Sequence, residues 1–204
     1  MSSTSGTLPS SSVPVGIRLL VIKGSVTGTI AWTLSGPQVS IIGQSSAMLT
    51  GNGTTSTLRV TGGDLYIRAL GITGGAPGIT ADGGAILRLD HASVSNNTAG
   101  GILLDGAGFE IKNTTVNSNG PNIADSAFGG LRIQNLPTSS AIPKSLSLST
   151  VNDNQQVGVS CGSGAAVTPT PTNVLVSGNN GGDIGGSCGF TSCATAGPTC
   201  GAQP

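Results

Sequence analysis

The stretch Val94–Asn119, VSNNTAGGILLDGAGFEIKNTTVNSN, opens and closes on one phrase: an apolar residue, two small polar residues, then asparagine. Val94-Ser95-Asn96-Asn97 returns as Val116-Asn117-Ser118-Asn119 after 22 residues. The same spacing joins Leu49 to Asn52, Val151 to Asn154 and Val176 to Asn179, with degenerate copies at Val26 with Thr29 and Ile72 with Gly75. The apolar position therefore runs Val26, Leu49, Ile72, Val94, Val116, Val151, Val176, in steps of 23, 23, 22, 22, 35 and 25. A period of this size marks a solenoid, in which each repeat is too short to bury its own apolar face and stacking completes the core.

Strand-like alternation precedes the phrase. Leu65-Tyr66-Ile67-Arg68, Leu87-Arg88-Leu89-Asp90 and Phe109-Glu110-Ile111-Lys112 are 22 residues apart and apolar at alternate positions, as a strand with one buried face requires. A second short strand follows the asparagine: Ile102 with Leu104, Val159 with Cys161 and Ile184 with Gly186 each begin five residues after it, and Ile79 with Ala81 begins four after Gly75. No window carries an i, i+3, i+4 stripe, and 34 glycines in 204 residues interrupt every candidate helix. Leucine-rich horseshoes need a denser leucine pattern. The spacing predicts an all-β parallel β-helix of about seven coils over residues 17–188, two strands per coil, between a flexible N-terminal segment at 1–16 and a cysteine-containing tail or cap at 189–204. At about 4.8 Å per coil the rod is roughly 30 Å long. The longer steps are read as loops: Pro121–Phe128, Pro137–Lys144 and Gly162–Pro171.

The runs VSIIGQSSAMLTGNG (Val39–Gly53) and LRVTGGDLYIRALGITGG (Leu58–Gly75), with the asparagine phrases, resemble the right-handed parallel β-helix proteins of the pectate-lyase-like superfamily. That resemblance implies the fold. It leaves function open among lyases, hydrolases, esterases, adhesins and tail spikes. The calcium-binding aspartates with an arginine base of its lyases, and the aspartates, histidine and arginine-lysine pair of its polygalacturonases, have no recognisable counterpart here.

Composition narrows the partners. Eight basic and eight acidic residues cancel, leaving no basic stripe for a phosphate backbone, so nucleic acid is excluded as a partner. No apolar run approaches the length of a membrane helix. The opening MSSTSGTLPSSSVP lacks the charged and apolar regions of a signal peptide, so an exported chain is expected to have lost its leader. Cys161, Cys188, Cys193 and Cys200 lack the spacing of a zinc site and read as disulfides of an oxidising compartment, extracellular or at a cell surface. Three pairings exist. Cys161 with Cys188 and Cys193 with Cys200 is preferred, although alignment stacks Cys161 on Gly186 and leaves Cys188 two residues out of register, about 8 Å across.

Stacking turns sequence columns into ladders. Tyr66, Arg88 and Glu110 form one outward column, and Arg68, Asp90 and Lys112 another, with Asp90 between two cations. Asn52, Asn97, Asn119, Asn154 and Asn179 are expected at a corner, where asparagine tolerates the left-handed conformation and its amide reaches the next coil. Asn52-Gly53-Thr54, Asn96-Asn97-Thr98 and Asn113-Thr114-Thr115 are glycosylation sequons, meaningful in a eukaryote.

For chemistry the strongest pair is Asp82 and Asp105, stacked in neighbouring coils in a column completed by Thr61 and Gln134. Two such carboxylates hold calcium or divide acid and nucleophile duties in sugar hydrolysis, and Arg59 and Arg132 on the same face bind an acidic sugar. Against this stands the plain reading that Asp82-Gly83 and Asp105-Gly106 turn the chain. His91, the single histidine, shares a corner column with Ala69 and Asn113. Of the rings, Tyr66 points outward and Trp32, alternating with Ile30 and Leu34, packs inward, so an aromatic platform for sugars is missing. A threonine array for ice binding also looks too sparse, with Thr114, Thr115 and Thr150 as its members. The function expected is a non-catalytic secreted or cell-surface module, structural, adhesive or polysaccharide-contacting. Its alternatives are a lyase or hydrolase of acidic sugars using Asp82 and Asp105, and a filament subunit assembling through its first coil. Another copy of the chain or a polysaccharide is the expected partner, and no cofactor is expected unless calcium.

Overall fold

The computed structural model describes residues 2–3, 18–120, 128–162, 167, 171–186 and 188–189. They form a parallel β-solenoid of seven turns. Among the described residues there is no helix, hence none long and apolar enough to cross a membrane.

Each turn contributes three strands, not two. The first ladder runs from the front half of Leu19–Thr27 through the front half of Val39–Thr50 to Asp64–Arg68, Ile86–Asp90, Gly108–Lys112 and Lys144–Ser147. The second takes the back halves of the same two long strands and continues through Gly71–Thr73, Ser93–Ser95, Thr115–Asn117, Thr150–Asn152 and Leu175–Ser177. The third joins Ile30–Thr33, Leu58–Thr61, Ile79–Asp82, Ile102–Asp105, Leu131–Gln134, Val159–Cys161 and Ile184–Gly186. The second ladder escapes a reading by alternation because its later strands are three residues long. One buried side chain between two outward ones is too little to display a period of two.

That one side chain is the apolar residue of the repeat phrase. Val26, Leu49, Ile72, Val94, Val116, Val151 and Val176 are all buried and stack in one column. Opposite it stand Ile67, Leu89 and Ile111 of the first ladder and Val60, Ala81, Leu104 and Ile133 of the third. Each large aliphatic chain so enclosed contributes about 1.5–3 kcal/mol. Trp32 packs inward beside Ile30 and Leu34 as its alternation requires.

Corners are made by residues with positive φ. Between the first two ladders these are Ala69, His91, Asn113, Leu148 and Asn173, with φ of 47–53°. Between the second and third they are Gly74, Asn96, Ser118, Asp153 and Gly178, with φ of 53–69°. The left-handed residue is thus the one before the ladder asparagine, which corrects the expectation that the asparagines themselves adopt it. They are held for a different reason, given below.

Lys144 opens a strand, and its Nζ donates to the carbonyls of Pro137 (2.9 Å) and Ser139 (3.2 Å), which ties off the preceding loop. Phe128, at the end of the 121–128 insert, is buried, and its ring covers Gly100, where a Cβ would overlap it. At one end Ser2–Ser3 pairs with Val21 and Ile22; the segment 6–14 lies outside the described residues. At the other, Cys161 does stack on Gly186, as the alignment requires. The chain then turns at Gly186 (φ 79°) and brings Cys188 back to a Cα–Cα distance of 5.1 Å, where the two form a disulfide. Register alone predicts a gap too wide to bridge; the turn closes it. Cys193 and Cys200 lie outside the described residues.

Candidate functional site

The asparagine column is a buried hydrogen-bonded wire. Asn97 Nδ2 donates to Asn119 Oδ1 (2.8 Å), Asn119 Nδ2 to Asn154 Oδ1 (3.1 Å), and Asn154 Nδ2 to Asn179 Oδ1 (2.8 Å). Each side-chain oxygen also accepts the main-chain N–H of the turn before it: Gly75, Asn97, Asn119 and Asn154 in order, at 2.9–3.1 Å. Each amide nitrogen further donates to the carbonyl of Ile72, Val94, Val116 or Val151. The wire ends on a carboxylate, Asp183, which accepts from Asn179 Nδ2 (3.0 Å) and N (3.3 Å). With these four asparagines at most 8% exposed, their amides are spent inside the corner and cannot meet a ligand.

Asn52 does not belong to this wire. It is exposed, and its Oδ1 accepts the N–H groups of Thr54 (3.0 Å) and Thr55 (3.1 Å) in a local turn. Thr57 explains the displacement. Its fully buried hydroxyl donates to Thr73 O (2.8 Å) and occupies the corner between Gly51 and Gly75, where a Cβ at either position would collide with it.

On the third face the expected column forms in register: Thr61, Asp82, Asp105, Gln134. Asp82 is engaged by Arg59 through Nε (2.9 Å) and Nη2 (2.7 Å), and by Thr61 Oγ1 (2.5 Å). Asp105 accepts from Asn135 Nδ2 (2.7 Å). Arg132 lies three rungs from Arg59, about 14 Å along the axis. It donates to Gln134 Oε1 (2.9 Å) and lies over the Phe128 ring, 6.0 Å from its centroid. The four candidates therefore share a face over four successive turns, with Asp82 and Asp105 on adjacent rungs between the two arginines. Among the described residues no group of three or more His, Cys, Asp or Glu side chains gathers to hold a metal, so a calcium reading rests on Asp82 and Asp105 alone.

The first face carries the densest charge. Arg88 Nε lies 3.1 Å from both oxygens of Asp64, its Nη1 donates to Glu110 (2.5 Å), and Lys112 lies 3.8 Å from Glu110. Burial pulls the Arg88 guanidinium down, but Asp64 and Glu110 outweigh it and hold it above its ordinary value. Beside this chain sits Asp90, 7% exposed. It accepts from Tyr66 Oη (3.2 Å) and Asn113 Nδ2 (2.9 Å), and its Oδ1 is 2.7 Å from His91 Nδ1. Burial opposes its ionisation, yet the hydrogen bonds from Asn113, His91 and Tyr66 prevail and hold the carboxyl below the usual range. Burial, reinforced by the Asp90 carboxylate, pushes the Tyr66 phenol up. Of the two cations expected around Asp90, Arg68 is present at 3.8 Å and Lys112 has turned to Glu110 instead. This Asp90 cluster joins three turns. Its signal in the sequence is the column Ala69, His91, Asn113, which lies one residue beyond the charged column.

A shallow groove of about 700 Å³ crosses the asparagine corner, lined by Gly53, Ala76, Asn96, Thr98, Ser118 and Gln155 among others, without a charged side chain. No protein-family model matches the chain, and neither a curated protein nor a solved structure does so.

Proposed function

We propose that this chain is a non-catalytic structural or adhesive module, exported or held at a cell surface: a rod that presents its faces and loops. One observation carries the reading. The carboxylates of the first and third faces are engaged by other groups of the protein, Asp82 by Arg59 and Thr61, Asp105 by Asn135, Asp64 and Glu110 by Arg88, and Asp90 by Tyr66 and Asn113 of the turns on either side. A general acid, base or nucleophile must instead face its substrate. The Cys161–Cys188 disulfide favours an oxidising compartment, and the uncharged groove offers amides and hydroxyls to a polysaccharide. Likeness to the right-handed pectate-lyase-like superfamily fits such a role without requiring catalysis.

A second reading, a lyase or hydrolase of acidic sugars, draws on the direct rung pairing of Asp82 with Asp105. Uronic-acid release from a panel of acidic polysaccharides, with and without calcium, separates the two. The module reading expects none. Release that disappears in Asp82→Asn establishes the enzyme instead.

A further inference from the structure

The outward side of the second ladder differs from the other two faces. Thr27, Thr50, Thr73 and Ser95 occupy one column in four consecutive turns, continued by Asn117 and Asn152. The parallel column holds Ser93, Thr115 and Thr150 in neighbouring turns, with Gly71, Met48 and Leu175 at its other rungs. No outward position of this ladder is charged. The linear sequence hides this array, because Thr27, Thr50 and Thr73 lie in three different turns, and Thr114, counted with Thr115 by adjacency, in fact points inward with 1% exposure.

Among the described residues the hydroxyls of Thr27, Thr50 and Thr73 take no hydrogen-bond partner; at Thr73 it is the main-chain oxygen that accepts, from Thr57 Oγ1 and Gly51 N. These groups must therefore be satisfied by what lies outside the protein. The partner they fit has to be uncharged, because the face is, and periodic, because the groups repeat at every turn. Crystalline polysaccharide is the poorer match, since its usual aromatic platform is missing from this face.

Water itself fits. Oxygens linked at about 2.75 Å and meeting at a tetrahedral angle put second neighbours about 4.5 Å apart. The turn repeat of about 4.7–4.9 Å is within a few tenths of that spacing, so the mismatch along four turns accumulates to only about 1 Å. Successive column hydroxyls can therefore stand at second-neighbour positions of a tetrahedral lattice, their methyl groups filling the spaces between. A lysine or glutamate on the same face would organise its own hydration shell and break that order.

We propose that this face binds ice. The proposal goes beyond the reading of the rod as a module and does not depend on it, since sugar cleavage and ice binding are read in separate assays on separate faces. The experiment uses the purified full chain, measuring the gap between melting and freezing temperatures of a small ice crystal and the uptake of dye-labelled protein into growing ice. Thr50→Lys and Thr73→Lys alter the face; Ser160→Lys, outward on the third ladder, is the control. The wild type and Ser160→Lys open a gap and enter the ice, whereas Thr50→Lys and Thr73→Lys lose most of both while keeping the strand circular dichroism and unfolding midpoint. Exclusion of the wild type from ice overturns the proposal, as does an unchanged gap in both threonine variants or an equal loss in Ser160→Lys. Self-association or glycan retention abolished by Thr50→Lys, with no uptake into ice, assigns the face to that partner and overturns it too.

Discussion

At Asn154 one side chain closes four hydrogen bonds between three turns. Its Oδ1 accepts Asn119 N (3.0 Å) and Nδ2 (3.1 Å), and its Nδ2 donates to Val116 O and Asn179 Oδ1. Asn154→Ala strands two donors and a carbonyl in a site with no exposure, and each such group costs about 1–3 kcal/mol. Urea unfolding should therefore show a loss of about 3 kcal/mol or more for Asn154→Ala, and only about 0.5 kcal/mol for Asn52→Ala, which leaves the wire intact. Equal losses would remove the distinction drawn between the two asparagines. In sequence they are indistinguishable, both three residues after a buried aliphatic; what separates them is Thr57, five residues beyond Asn52, whose presence in the corner no local pattern reveals. Asp90 makes a second residue-scale case. Because folding holds its carboxyl below the usual range, the stability it lends is complete above the ordinary carboxylate pKa of about 3.9 and drains away as pH falls through the lower folded value. Asp90→Asn should then be less stable than the wild type at pH 7 but lose stability less steeply in acid, measured as the urea midpoint against pH. Parallel acid limbs would refute the assignment.

Among the elements, the three-residue strands of the second ladder depend on their corners more than on their own length, since a strand that short is marginal without its neighbours. Gly75 shows the constraint. A Cβ there would overlap the Pro77 carbonyl oxygen and lie 2.5 Å from Thr57 Oγ1, and the Gly75 N–H must still reach Asn97 Oδ1 (2.9 Å). Gly75→Ala is expected to cost about 3 kcal/mol or more by overpacking. Thr57→Val, which keeps the volume and deletes the hydrogen bond to Thr73 O, should cost about 1 kcal/mol. A double variant, Gly75→Ala with Thr57→Ala, which removes Oγ1, recovers part of the loss if the clash is with the threonine hydroxyl. No recovery would place the strain on the main-chain atoms, the Pro77 oxygen and the Thr57 nitrogen. The same scale sets what sequence reading could reach. The first and third ladders alternate over four or five residues and declare themselves, as at Leu87 and Leu89 or Ile102 and Leu104, whereas the second appears only as an isolated valine before two polar residues. Columns such as Thr61, Asp82, Asp105 and Gln134 were legible because the period is regular there. Which atoms meet was not, because Arg59 and Arg132 share a column and yet choose differently, Arg59 a carboxylate in the next turn and Arg132 an amide in its own strand.

For the whole rod, stability is a chain of neighbour contacts, so its ends decide where opening starts. The disulfide sits at one of them. Cys161 and Cys188, both buried, close a stretch with a sequence separation of 27, for which the loop-entropy account gives about 3.5 kcal/mol. The main-chain carbonyl of Cys188 also accepts the Val167 N–H (2.8 Å), so the bridge fixes the cover over the last turns and not merely the two sulfurs. In a one-dimensional stack that contribution is local. Reduction, or the pair Cys161→Ser with Cys188→Ser, should abolish hydrogen-exchange protection in Val159–Cys161 and Ile184–Gly186 first, pass more weakly to Leu131–Gln134, and leave Leu65–Asp90 slow to exchange. Protection lost uniformly from Leu19 to Gly186 would mean that the turns unfold as a single unit and that the neighbour-by-neighbour account of this rod is wrong. Protection unchanged at the last turns would mean instead that packing against Val159, not the covalent link, closes that end.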